Sequence, residues 1–166
     1  MKRDRNRKSA GFTMLEMMII VVIIGIMASL AAPSFFSWIP RMKLKSDAKQ
    51  NLEYLRQARS RAVAENTQYG VYFDVGNNQY YFFKDISSPQ TATYEAGADS
   101  LISGPLSMES NIGYADCTFT NDTVVFLPNG SASTSGTIKI FDTGSTETYL
   151  VNVLAATGRV KLQHTP

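Results

Sequence analysis

From Met17 to Pro40 the chain runs for 24 residues without a formal charge, and about 20 mostly apolar residues suffice for a helix to cross a bilayer. No other feature limits the fold so strongly, because a segment of this kind is solvated by lipid or by other helices and the rest must be carried on it. Five bases (Lys2, Arg3, Arg5, Arg7, Lys8) and one acid (Asp4) precede the run, and Arg41 is the first base beyond it. The excess of Lys and Arg on the N-terminal side predicts a cytoplasmic N-terminus and a translocated remainder.

Two details separate the run from a plain anchor or a secretory signal. Glu16 stands at its start, where a carboxylate costs free energy and therefore points to a function. The small residues Ser9-Ala10-Gly11 lie before the apolar run, whereas a secretory signal is cut after it.

Gly11-Phe12-Thr13-Met14-Leu15-Glu16, behind a basic leader and with Pro33 at the twenty-second position counted from Phe12, resembles the N-terminus of type IV pilins and type II secretion pseudopilins. The resemblance implies cleavage after Gly11 by a prepilin peptidase, N-methylation of the new terminal residue Phe12, and an assembly role for Glu16. In lipid, Glu16 of one helix can neutralise the Phe12 amine of a neighbour. A buried pair of this kind breaks even at best in stability but can fix register. The alternative is an interfacial acid whose side chain snorkels to water.

The 166 residues suit one stem and one domain of ordinary size. Removal of the leader turns a formal charge of +2 into −2, since 11 bases and 13 acids remain, so the basic pI carries no message about a nucleic-acid partner. Cys117 is the only cysteine; it forms no intramolecular disulfide and reads as a small strand or core residue.

Beyond Ser34 the pattern is amphipathic. Leu44, Ala48, Leu52, Leu55, Ala58, Ala62 and Val63 recur at three- and four-residue steps, opposite Lys43, Asp47, Lys49, Glu53, Arg56 and Arg61, as on one helix. Asn66 and Thr67 end it. A continuous helix over 12–66 would measure about 80 Å at ~1.5 Å per residue, with kinks or local melting expected at Pro33 and Pro40. The stem beyond the membrane carries a net +4 and the residues from Thr67 onward a net −5, so stem and head of stacked subunits can attract each other; a solvated helix face is the alternative.

After Thr67 the period becomes two. Tyr69 to Val75 and Tyr80 to Phe83 read as a hairpin about Asn77-Asn78, 84–106 as a long irregular loop, and 112–119, 123–127, 136–141, 148–154 and 160–163 as strands separated by turn residues. The fold class is α+β: a long N-terminal helix, transmembrane in its first half and amphipathic in its second, packed on an antiparallel β-sheet head. Four segments follow: a basic leader (1–11), an assembly helix (12–33), a stem (34–66) and a head (67–166). Ala58-Arg59 with Ala62-Val63, Val125 to Gly130, and Gly158-Arg159-Val160-Lys161-Leu162 resemble the GspH/FimT family of minor pilins and minor pseudopilins.

No catalytic constellation can be assembled, and an enzyme is not expected. His164 is the only histidine, near the end and expected to fray. Asp116, Asp122, Asp142 and Glu147 show no calcium-loop spacing, no His/Cys metal cluster is possible, and no cofactor is implied. Gly158-Arg159-Val160-Lys161 is similar to the Gly-Arg-x-Arg of FimT-like members that take up DNA. Arg159 and Lys161 then suit phosphates on one strand face, although lysine lacks the bidentate fork and the head's negative charge opposes a polyanion; the other reading is a turn with two solvated cations. The resemblance implies a pseudopilus or pilus subunit in the bacterial inner membrane with a periplasmic head. Its partners would be the peptidase, the membrane and other pilin subunits, with DNA as the alternative ligand.

Overall fold

A computed structural model describes residues 12–86 and 92–165, apart from the side chains of 32–37. The chain divides into two compact units, residues 1–38 and 39–166. One helix, α1 (Met14–Glu65), contributes to both. It runs unbroken through residues 33 and 40, so the melting expected at the prolines does not occur.

In the first unit the Glu16 N–H donates to Thr13 Oγ1 at 3.2 Å and the Met17 N–H to the Thr13 carbonyl at 3.2 Å. Thr13 is therefore the N-cap, with Glu16 at the third helical position, the spacing of a capping box. The stretch Met14–Ala31 is long and apolar enough to cross a membrane, and none of it is buried.

In the second unit α1 ends with Asn66 at φ +51° and the Thr67 N–H bonded to the Ala62 carbonyl, the six-to-one closure of a Schellman turn. Eight strands follow: β1 (Gln68–Asp74), β2 (Gln79–Asp85), β3 (Ser100–Ser107), β4 (Ile112–Cys117), β5 (Thr123–Phe126), β6 (Gly136–Asp142), β7 (Thr148–Leu154) and β8 (Arg159–Thr165). They form two antiparallel sheets, β3-β2-β1-β5 and β4-β6-β7-β8. The segment expected as loop thus contains β3, an edge strand whose pairing with β2 is interrupted by register shifts.

Both sheets and α1 share one core. Leu44, Ala48, Leu52, Leu55, Ala58 and Ala62 meet Val71, Phe73, Phe82, Val124 and Phe126 of one sheet and Ile138, Ile140, Val151 and Val153 of the other. Val63, expected on this stripe, is 53% exposed. A buried polar bridge crosses the core: Tyr114 Oη donates to Asn51 Oδ1 at 2.7 Å, and Asn51 Nδ2 donates to the Asp47 carbonyl at 2.9 Å.

Candidate functional site

The N-terminal candidates lie in the first unit. Gly11 falls outside the described residues. Phe12 is 70% exposed just ahead of α1, and Glu16 is exposed in the first helical turn, where the helix dipole favours an acid. Phe12 and Glu16 are therefore both presented outward at the same end of the apolar helix.

The C-terminal candidates lie in the second unit, and the structure explains how they are displayed. Arg59 Nε donates to the Gly130 carbonyl at 3.0 Å. Gly158 has φ +59°, and a Cβ built on it would stand 2.0 Å from that same carbonyl oxygen and 3.0 Å from Arg59 Nε. Only glycine fits such an approach. Three separate sequence pieces, Ala58-Arg59, the turn ending at Gly130, and Gly158-Arg159, thereby close into one latch that sets the start of β8.

From the latch, Arg159 and Lys161 project on the outer face of β8, both exposed. Arg159 stands between two concavities. A groove of about 560 Å³ lies on its α1 side, lined by Arg56, Arg59, Val63 and Val160 among others; one of about 470 Å³ lies over the sheet, lined by Thr137, Asn152, Leu154 and Lys161 among others. Register places Lys161 beside Asn152 and Asn152 beside Thr137, and Thr137 Oγ1 donates to Asn152 Oδ1 at 2.6 Å. Lys139 shares this face, since Ile138 and Ile140 point inward.

The net charge of −5 is consequently not spread over the head. Three of its four bases (Lys139, Arg159, Lys161) lie on the outer face of β6, β7 and β8, and no outward position of those strands carries an acid. Sequence reasoning found Arg159 and Lys161 but missed Lys139 and the latch. Strand parity could have found Lys139. Nothing local signals a contact between residues 71 apart.

Elsewhere the side chains do structural work. His164 does not fray: it pairs with Tyr149 across β7 and β8, its ring lies 4.8 Å from that of Tyr149, and its Nε2 is 3.6 Å from Glu147 Oε2. Glu147 also meets Arg41 at 3.1 Å. Burial pushes the Cys117 thiol up to about 12, so it stays protonated at neutral pH and is a poor nucleophile. Among the described residues no three His, Cys, Asp or Glu side chains gather to hold a metal. Tyr72 and Tyr81 face outward from β1 and β2 and stack on Tyr94.

Comparison with known proteins covers the N-terminal motif and most of the head. Residues 6–32 match the prokaryotic N-terminal methylation motif. The chain is 42% identical over 64 residues to the type IV major pilin protein PilA of Myxococcus xanthus strain DK1622, covering 39% of this chain and 29% of PilA. It is 31% identical over 112 residues to the type II secretion system core protein G of Aeromonas hydrophila, covering 68% of this chain and 62% of that protein. The matched stretches thus span less than two thirds of either relative. Among solved structures, the minor pseudopilin EpsH of Vibrio cholerae superposes with a TM-score of 0.58 at 16% identity, over 73% of this chain and 96% of EpsH. The type IV minor pilin FimU of Pseudomonas aeruginosa PAO1 gives 0.55 at 19%, over 74% of this chain and 90% of FimU. At these identities the superpositions show a shared fold. Residues 47–158, two thirds of the chain and most of the head with the end of its helix, match the family profile described as type II transport protein GspH, and the chain belongs to that family.

Proposed function

We propose that this chain is a minor subunit of a type II secretion pseudopilus or a type IV pilus, inserted in the inner membrane with its head in the periplasm, cut after Gly11 by a prepilin peptidase, methylated on Phe12, and assembled through α1. The observation that carries this reading is the pairing of an exposed apolar helix start with an exposed acid in its first turn, Phe12 with Glu16, directly after Gly11. Lipid solvates the apolar flank of such a helix, and neighbouring helices replace lipid in a filament; Glu16 then meets a neighbour's Phe12 amine and fixes the stagger between subunits.

Two measurements test it. Intact mass of the protein from native membranes is expected to match a chain beginning at methylated Phe12; a mass retaining Met1 to Gly11 overturns the processing step. Glu16→Ala is expected to insert and be cleaved normally but to fall severalfold in sheared filaments, and equal incorporation beside wild type removes the pairing argument.

DNA capture through Arg159 and Lys161 is the second reading, and the acid-free face around them favours it. Replacing both with alanine should then abolish retention of double-stranded DNA at low salt.

A further inference from the structure

The latch also shapes a charged hollow. The groove of about 560 Å³ between the end of α1 and the start of β8 is lined by Arg56, Arg59 and Arg159, with Val63, Ala64 and Val160 as its aliphatic wall. Arg56 is held by Glu53 at 3.0 Å. Among the described residues neither Arg59 nor Arg159 belongs to a salt bridge. Arg59 Nε is engaged by the Gly130 carbonyl at 3.0 Å, which fixes the plane of the guanidinium and leaves its terminal amino groups for a ligand. A Cβ at Gly158 would stand 3.0 Å from that same Nε, so the backbone enters Arg159 directly beside Arg59. Val63 is 53% exposed in this groove, although the sequence places it at the end of the core stripe.

We infer that the groove receives an acidic side chain from a different pilin subunit, its carboxylate forked by Arg59 and Arg159 and its aliphatic neighbours seated on Val63. The proposal rests on reading the chain as a minor filament subunit, and it supplies the surface by which that subunit selects a neighbour. Two guanidiniums beside an exposed valine have the makeup of an interface anchor, in which planar carboxylate recognition and apolar burial act together. A second copy of this chain is a poor source of the carboxylate. Glu53, Glu65, Glu109 and Glu147 each already meet a Lys or Arg of their own subunit, Asp47, Asp85, Asp99 and Asp142 are buried, and Asp116 stands in register with Lys139. A nucleic acid fits less well too. Among the described residues no aromatic ring lines the groove for stacking, and Glu53 beside Arg56 repels a continuous run of phosphates.

The test uses the full-length chain in native membranes that process it, with the photocrosslinker p-benzoylphenylalanine at Ser60, which lines the groove, and in a control at Asn77, on the exposed turn between β1 and β2. Irradiation is expected to join position 60, and not position 77, to a segment containing Asp or Glu in another chain that carries the N-terminal methylation motif, as mapped by mass spectrometry of the adduct. Arg159→Glu, which leaves the Arg59 bond to Gly130 in place, should cut the adduct roughly tenfold through like-charge repulsion, and changing the mapped acid to Arg should restore it. No adduct in chain that begins at methylated Phe12 overturns the groove proposal and leaves the filament reading standing. An adduct to a second copy or to a segment without Asp or Glu, one indifferent to Arg159→Glu, or one formed equally from position 77 overturns it as well. So does retention of double-stranded DNA that depends on Arg59 and Arg159 in a chain that gives no adduct. A charge-dependent adduct to such a segment from chain that keeps Met1 to Gly11 supports the groove and removes the processing step instead.

Discussion

Gly158 shows how much one backbone atom can decide. Its hypothetical Cβ would sit 2.0 Å from the Gly130 carbonyl oxygen, and neither partner is a flexible side-chain tip that can swing away. Gly158→Ala is expected to cost about 1–3 kcal/mol through displaced backbone and a strained positive φ, read as a lower urea midpoint. The Arg159 and Lys161 face should lose its order at the same time, because the latch aims it. A glycine in the turn between β6 and β7 offers a control: at Gly144 a Cβ meets nothing nearer than 3.9 Å, and Gly144→Ala should be nearly silent.

At the scale of elements, Asp47 ties α1 to the connection between β3 and β4. It is 7% exposed, and its Oδ2 accepts the Glu109 N–H at 3.0 Å. Burial raises its pKa above the ordinary 3.8, outweighing the Glu109 hydrogen bond that lowers it. A folded-state pKa above the unfolded one means that Asp47 contributes most below about pH 3.8 and that this contribution is lost as pH rises through the folded value. Asp47→Asn keeps an acceptor for Glu109 and never ionises. It should therefore match wild type near pH 3.5, gain on it as pH rises through the folded pKa of Asp47 and keep that margin above it, as checked by urea melts from about pH 3.5 to 7. Much at this scale was legible in the sequence. The six-member stripe from Leu44 to Ala62, the hairpin about Asn77-Asn78 and the later strands follow from period and turn chemistry. β3 was not, because Ser100-Leu-Ile-Ser-Gly-Pro-Leu-Ser has no alternation and carries Gly-Pro; it becomes a strand only because β2 offers an open edge. His164 looked terminal, yet β7 and Glu147 hold it. The N-terminal methylation motif was readable because its residues are contiguous; the latch was hidden because its parts lie far apart in the chain.

For the whole molecule, the decisive fact is that no core residue precedes Leu44 among the described residues, while both sheets bury side chains against the same helix. A chain starting at Ile39 is therefore expected to fold without lipid and to unfold in one transition; two resolved transitions by circular dichroism and tyrosine fluorescence would show that the sheets are separate cooperative units. The same arrangement governs the order of events at the membrane. The apolar stripe of α1 emerges early, but part of its cover, up to Val153, and the Gly158 latch arrive only with the last strands. In the proposed topology the stripe stays exposed on the far side of the bilayer until then, and contacts so distant in sequence form slowly. A head translocated as proposed thus passes through a vulnerable interval set by its fold, during which the bare apolar stripe lowers the yield of native head.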